Sequence, residues 1–150
     1  MISIVVDANI IFSALYNKEG TERTILDIII NVDEIQLFAP DVFKEEILRN
    51  LEAKLDFSPD ATERLLSDFD IIEVPYIKYK NCFLDAKRLI VHESDIPYVA
   101  VALLLHAPIW SGNEKHFKHL ENSHEIIWFD SRRLFEYLKN KDFIEKDFIT

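Results

Sequence analysis

Apolar and polar positions along this chain fall in blocks, and the length of each block predicts its element. The first, ISIVV, is a continuous β-branched run, the pattern of a strand covered on both faces. A helix is predicted from about Ala8 to Tyr16, broken at Gly20, and TERTILDIII predicts a second. IQLFA reads as a second strand, after which Pro40-Asp41 opens a third helix with Asp41 as its N-cap. In SPDATERLLSDF, Ser58 is the expected N-cap and Pro59 the first helical residue. IIEV is a third strand, closed by Pro75, and NCFLDAKRLIV is helical. SDIPYVAVALLLH is apolar on nearly every side, hence a buried helix, with Ser94 as its N-cap. PIW and EIIWF are the last strands, with a short EKHFKHL helix between them, and SRRLFEYLKN closes the series.

Strands alternating with helices predict a three-layer α/β/α fold around a central parallel sheet of about five strands, as one domain over residues 1–150. Ligands of such sheets bind beyond the carboxyl ends of the strands. Asp7 stands where the first strand ends and Ser111-Gly112-Asn113 where the fourth ends, so both belong to one edge. Gly112, one of only two glycines, is expected there for a positive φ or a close backbone approach.

Composition narrows the class. With 49% hydrophobic residues and few Gly and Pro, the 150-residue chain can bury a real core. The single cysteine, Cys82, suits a reducing cytoplasm. MISIVVD carries no basic leader, and YVAVALLLHAPIW is too short to span a bilayer, so no membrane association is expected. A net charge of −10 works against an extended nucleic-acid surface, yet cations held by carboxylates can neutralise phosphate locally.

The acids are the candidate chemistry. Asp7 follows an apolar strand and either caps the next helix or serves a site. In PDVFKEEILRNL, about 100° per residue puts Phe43, Ile47, Leu51 and Leu55 on one face. Glu46 borders that face and Glu45 lies nearly opposite it, so Glu46 is the acid that can reach a cleft. Asp95 lies in the first turn of the buried helix, where it favours the helix dipole, and Glu93 is expected at the rim. Asp7, Glu46, Asp95 and Asn113 thus bring oxygen from four segments to one edge. That set suits Mg²⁺ or Mn²⁺, hard cations that keep waters for substrate. Two such ions about 4 Å apart can stabilise the attacking and leaving oxygens of a phosphodiester.

The ordered series VVDANII, APDVFKEEI, SDIPYVAVAL and IWSGNEKHF resembles the PIN domain family, small α/β nucleases found among toxins of the VapC kind and RNA-processing enzymes. The resemblance runs from Ile2 to about Phe129. It implies that Asp7, Glu46 and Asp95 are acidic metal ligands, that Ser111 is the hydroxyl near the site, and that Asn9 is a polar residue lining it. It also implies an RNA substrate, an antitoxin partner for a toxin, and a homodimer; the acidic surface and the apolar tail residues Phe143, Ile144, Phe148 and Ile149 suggest an interface, the alternative being that the tail packs on its own domain. The departure is Asn113, where the family generally has Asp in a Thr/Ser-x-Asp motif. An amide keeps an oxygen for a metal and removes a negative charge, which weakens a second cation more than a first.

Other residues read as structural. Lys115, His116, Lys118 and His119 fit a solvated short helix, Arg132 and Arg133 a helix surface, Trp110 and Trp128 the core. His92 and His106 have no zinc-ligand spacing with Cys82, and no glycine-rich phosphate loop exists. The leading expectation is a Mg²⁺- or Mn²⁺-dependent ribonuclease. A degenerate PIN-like module that binds RNA or protein without cleavage comes second. A phosphatase with Asp7 as nucleophile comes last, because the second acid such enzymes need two residues on is here Asn9.

Overall fold

The computed structural model describes residues 1–55 and 58–144. Five parallel strands, β1 (Ile2–Val6), β2 (Ile35–Pro40), β3 (Ile71–Val74), β4 (Ile109–Trp110) and β5 (Trp128–Phe129), form one sheet in the order β3-β2-β1-β4-β5. The β-branched run at the N-terminus is the central strand, and Ile4, Val5 and Val6 are fully buried. The helices are α1 (Ala8–Tyr16), α2 (Thr21–Ile29), α3 (Phe43–Leu55), α4 (Pro59–Ser67), α5 (Tyr76–Tyr79), α6 (Phe83–Leu89), α7 (Ile96–Leu105), α8 (Glu114–Phe117) and α9 (Ser131–Asn140). Parallel neighbours require crossovers of one hand, so reversing the direction of travel across the sheet changes the face that the helices cover. The chain moves from β1 to β2 to β3 and then returns to the other side of β1 as β4. Accordingly α1, α2, α3 and α9 pack among themselves, whereas α7 packs on β1 and β2 with α5 and α6 beside it. The sandwich has the three layers expected.

α7 has no polar stripe, and Ile96, Tyr98, Val99, Ala100, Val101 and Ala102 are all buried. It ends at His106, which takes the left-handed conformation (φ 51°, ψ 43°) that turns the chain into β4. Among the described residues no helix is long and apolar enough to cross a membrane. Phe43, Ile47 and Leu51 form the buried face of α3, with Glu45 exposed and Glu46 half-buried as the helical wheel requires. The Leu55 side chain lies outside the described residues. Ser58 caps α4, its Oγ accepting from the Ala61 N–H.

Three local expectations are corrected. EIIWF forms a strand only at Trp128–Phe129. Ser94 does not cap α7: Glu93–Asp95 make a 3₁₀ turn, and Asp95 holds the N-cap position without a capping hydrogen bond. Asp41 is not a cap either. Its Oδ2 accepts from the Tyr76 N–H and its Oδ1 from the Tyr79 hydroxyl, both at 2.8 Å, while its own N–H bonds to Val74 O. Burial and the Asp41 carboxylate push the Tyr79 phenol well up, fixing it as the donor. Asp41 therefore ties the end of β2, just before α3, to the start of the helices that lead to α7.

This tie sets the first prediction. Hydrogen bonds to a charged acceptor are worth roughly 1.5–3 kcal/mol each, and an exposed cap about 1 kcal/mol. Asp41→Ala is expected to lower unfolding stability by about 2–3 kcal/mol, read as a shift in urea midpoint with unchanged slope. Tyr79→Phe should lose part of the same energy and add little in the double mutant. Strictly additive losses would mean that the two residues act separately.

Candidate metal and catalytic site

Because β4 returns beside β1, the reversal of strand order falls between them, and their carboxyl ends open a crevice. Asp7 and Ser111 occupy those two ends. The Asp7 N–H bonds to Trp110 O at 2.9 Å, which seats both residues firmly on the sheet. Ser111 is fully buried and Asp7 nearly so, and the Ser111 hydroxyl donates to Asp7 Oδ2 at 2.8 Å. Ser111 Oγ itself accepts from the Asn113 N–H at 3.1 Å and, more weakly, from Asn9 Nδ2 at 3.5 Å. Asn9 Oδ1 in turn lies 3.5 Å from the Gly112 N–H. Although Asp7 precedes α1, its carboxylate makes no capping hydrogen bond.

Glu46 reaches the crevice from α3 and Asp95 from the start of α7, that is, from opposite helical layers. With Asp7, Asn9 and Asn113 they line one cleft of about 220 Å³, joined by Phe12, Asn50, Lys54, Ser94 and His116. The four oxygen-bearing groups expected from four segments do share one site. Glu93 stays outside, on the exposed side of its turn.

Burial of like charges shifts these acids upward. Desolvation pushes Asp7 from its usual 3.8 up to about 6, opposed by the Ser111 hydrogen bond and reinforced by the Asp95 charge. Glu46 is pushed from 4.5 up to about 7, first by burial and then by Asp7. Burial also raises Asp95, against the pull of His116. Tyr98, one helical turn beyond Asp95, is 1% exposed, and its hydroxyl faces the Glu46 carboxylate without reaching full hydrogen-bond geometry. Burial and the Glu46 and Asp7 charges hold its phenol far above the usual range.

The fourth corner differs from the one expected. His116 Nδ1 lies 2.6 Å from Asp95 Oδ2 and 3.0 Å from the Asn113 side-chain amide, and its ring stacks on His92 with centroids 3.5 Å apart. One ring nitrogen cannot donate to the carboxylate and accept from an amide N–H at once. A proton on Nδ1 serves the short carboxylate contact, and the amide then turns its oxygen to the ring. Asn113 is thus engaged by His116. The solvated-helix reading holds for Lys115 and Lys118 but fails for His116, which could have been found from its i+3 spacing to Asn113. Asn50 and Lys54 repeat Glu46 at i+4 and i+8, a second legible signal.

Gly112 is also corrected. Its φ is not positive, and a Cβ there would meet only Ile10 Cδ1, at 3.9 Å. Its exposed place in the turn needs neither left-handed backbone nor a bare approach. Arg132 is exposed and Arg133 lies over Trp128, 4.2 Å from the ring centroid, so neither meets the acids. Phe143 and Ile144 pack on the domain's own core, and Phe148 and Ile149 lie outside the described residues.

The donor set fits a hard divalent cation: the carboxylates of Asp7, Glu46 and Asp95 all line the one cleft. The fit is one of chemistry rather than of a finished coordination sphere. Among the described residues no three His, Cys, Asp or Glu side chains are already arranged to hold a metal ion. Ser111 holds Asp7 through Oδ2 and His116 holds Asp95 through Oδ2, which leaves each carboxylate a second oxygen for an ion.

The raised acids predict a pH dependence with a definite sign. An acid whose folded value is raised contributes stability at low pH that is lost as pH rises through that value. The windows run from 3.8 to about 6 for Asp7 and from 4.5 to about 7 for Glu46. Asp7→Asn, which cannot ionise, should therefore gain on wild type as pH rises from about 4.5 to 7.5, ending several degrees higher in metal-free melting midpoint. A constant difference across that range would remove the buried repulsion from the site.

The sequence profile of the PIN domain family matches residues 5–126. No curated protein matches the sequence significantly. Among solved structures, the chain is similar to DNA-bound VapBC from Salmonella typhimurium, with 15% identity, a TM-score of 0.62, and coverage of 87% of this chain and 99% of that one. It is also similar to VapBC-1 from nontypeable Haemophilus influenzae, at 16% identity and TM-score 0.61 over 88% and 99% of the two chains. VapBC2 from Rickettsia felis, bound to a DNA fragment from its promoter, gives 16% identity and TM-score 0.60 over 86% and 98%. Identities this low speak for the fold, whereas the profile spans both strand ends and all the acids of the cleft, and the chain belongs to the PIN domain family.

Proposed function

We propose that this chain is a Mg²⁺- or Mn²⁺-dependent endoribonuclease, the toxin of a toxin–antitoxin pair or an RNA-processing enzyme. The observation that carries the proposal is the convergence of Asp7, Glu46 and Asp95 from three elements on one cleft at the reversal of strand order. Those residues would hold the cation, with Asn113 at the margin. When bound, the cation supplies charge neutralisation at phosphate and a water of lowered pKa. The protein's own part is positional. Ser111 orients Asp7, His116 orients Asp95 and occupies Asn113, and Lys54 offers a positive charge at the rim. Metal and RNA specificity rest on this donor chemistry and on the family.

A specific observation favours the second reading, a module that binds RNA or protein without cleaving. Asn113 supplies no charge, and its amide is taken up by His116. The phosphatase reading finds no support: Asp7 Oδ2 is engaged by Ser111, and Asn9 contacts Ser111 and Gly112 rather than offering a proton to a leaving group. An antitoxin partner, a cytoplasmic location and a homodimer belong to the same proposal. The similar solved structures are VapBC assemblies, which supports a protein partner. Light scattering that returns a monomer at high micromolar concentration removes the homodimer from it.

The deciding experiment is Mn²⁺-dependent cleavage of single-stranded RNA. Wild type is expected to cleave slowly, Asp95→Asn to lose at least about 100-fold, and Asn113→Asp to gain severalfold by restoring a ligand charge. Calorimetry should show Mn²⁺ binding in wild type and much weaker binding in Asp7→Asn. Metal binding with no cleavage by either wild type or Asn113→Asp would decide for the binding module.

A further inference from the structure

The cleft that holds the acids is also lined by Phe12 and Lys54. Phe12 and Tyr16 stand one turn apart on α1, their rings 6.2 Å between centroids and 12° from parallel. Phe12 lines the cleft, whereas Tyr16 is 68% exposed and forms no part of the core. Lys54 Nζ lies 5.3 Å from the centroid of the Phe12 ring, at the outer end of the Glu46-Asn50-Lys54 stripe of α3. Among the described residues that line this cleft, Lys54 is the one Lys or Arg. At about 1.5 Å per residue, Phe12 lies roughly 7–8 Å and Tyr16 roughly 13–14 Å along α1 from Asp7. That is the reach of neighbouring nucleotides on a strand whose phosphate sits over the acids.

We propose that Phe12, Tyr16 and Lys54 form a subsite for single-stranded RNA: an unpaired base stacks on the open ring of Tyr16, backed by Phe12, and Lys54 neutralises the adjoining phosphate. The inference rests on the nuclease reading and extends it by naming the substrate as unpaired at a defined distance from the acids. A base presents its face to a side chain only when it has left its own stack, so a duplex is excluded from this site. In a chain of net charge −10, a lysine that lines an acidic cleft and lies over the inner ring of an aromatic pair matches an alternation of base and phosphate. A protein partner fits less well, since among the described residues Tyr16 stands beside this cleft without a second large exposed apolar residue lining it, and Asn9, Asn50 and Ser94 make much of its wall polar.

The test uses the full chain and a fluorescent single-stranded oligoribonucleotide in which an abasic nucleotide is moved one position at a time. Binding is measured in the Asp7→Asn background and cleavage with Asp7 intact. Tyr16→Ala is expected to weaken binding about tenfold and Tyr16→Trp to retain it. One abasic position should weaken binding by the same factor and cost Tyr16→Ala nothing further. Lys54→Gln should reduce the salt dependence by about one phosphate contact. Unchanged binding by Tyr16→Ala, abasic losses that add to it, absence of any RNA binding, or an effect of Tyr16→Ala confined to self-association or to a protein partner would each overturn the subsite. Tyr16-dependent binding without cleavage by any variant leaves the subsite standing and removes the nuclease. Cleavage indifferent to Tyr16 and to every abasic position does the reverse.

Discussion

A carboxylate buried at the end of the central strand is the constraint around which this molecule is arranged. Taking Asp7 out of water is unfavourable unless polar groups replace its hydration, and the neighbouring strand supplies the Ser111 hydroxyl at 2.8 Å. That contact exists only because β4 pairs directly with β1, and β4 is there only because the chain reverses its direction across the sheet. The reversal also puts α3 and α7 on opposite faces, so that Glu46 and Asp95 meet Asp7 from both sides. Topology and electrostatics are thus one fact seen at two scales.

Much of this was legible in the chain, and the reason is periodicity. ISIVV could only be a strand covered twice, the all-round apolar SDIPYVAVALLLH could only be a buried helix, and the phase of Phe43, Ile47 and Leu51 separated Glu46 from Glu45. Strand ends fixed in this way bring Asp7 and Ser111 together with no further information. What could not be read were side chains whose partners are remote. Asp41 has the local signature of a helix cap but answers to Tyr76 and Tyr79, more than thirty residues on. Asp95 looks like part of a first helical turn, and His116, twenty-one residues later, takes its carboxylate. Gly112 shows the converse error, a glycine in a turn whose backbone makes no demand for one.

His116 changes the meaning of Asn113. Read alone, the amide is a missing charge. Read beside His116, it is half of an arrangement in which an imidazole, stacked on His92, takes the space next to Asp95 that an additional acid would fill with repulsion. An uncharged amide and an imidazole together make up this corner. That pairing bears on how strongly the remaining acids repel, since His116 already offsets the burial of Asp95.

The buried helix α7 has a mechanical consequence. Three carboxylates between two helical layers act as a wedge, and a compliant scaffold would yield by sliding one layer outward. α7 is buried at Ile96 and from Tyr98 to Ala102, where it packs on β1 and β2, so most of its length offers no wetted side along which to slide. The stiff partner leaves the strain to be relieved chemically, by taking up protons where a softer protein would take up distance.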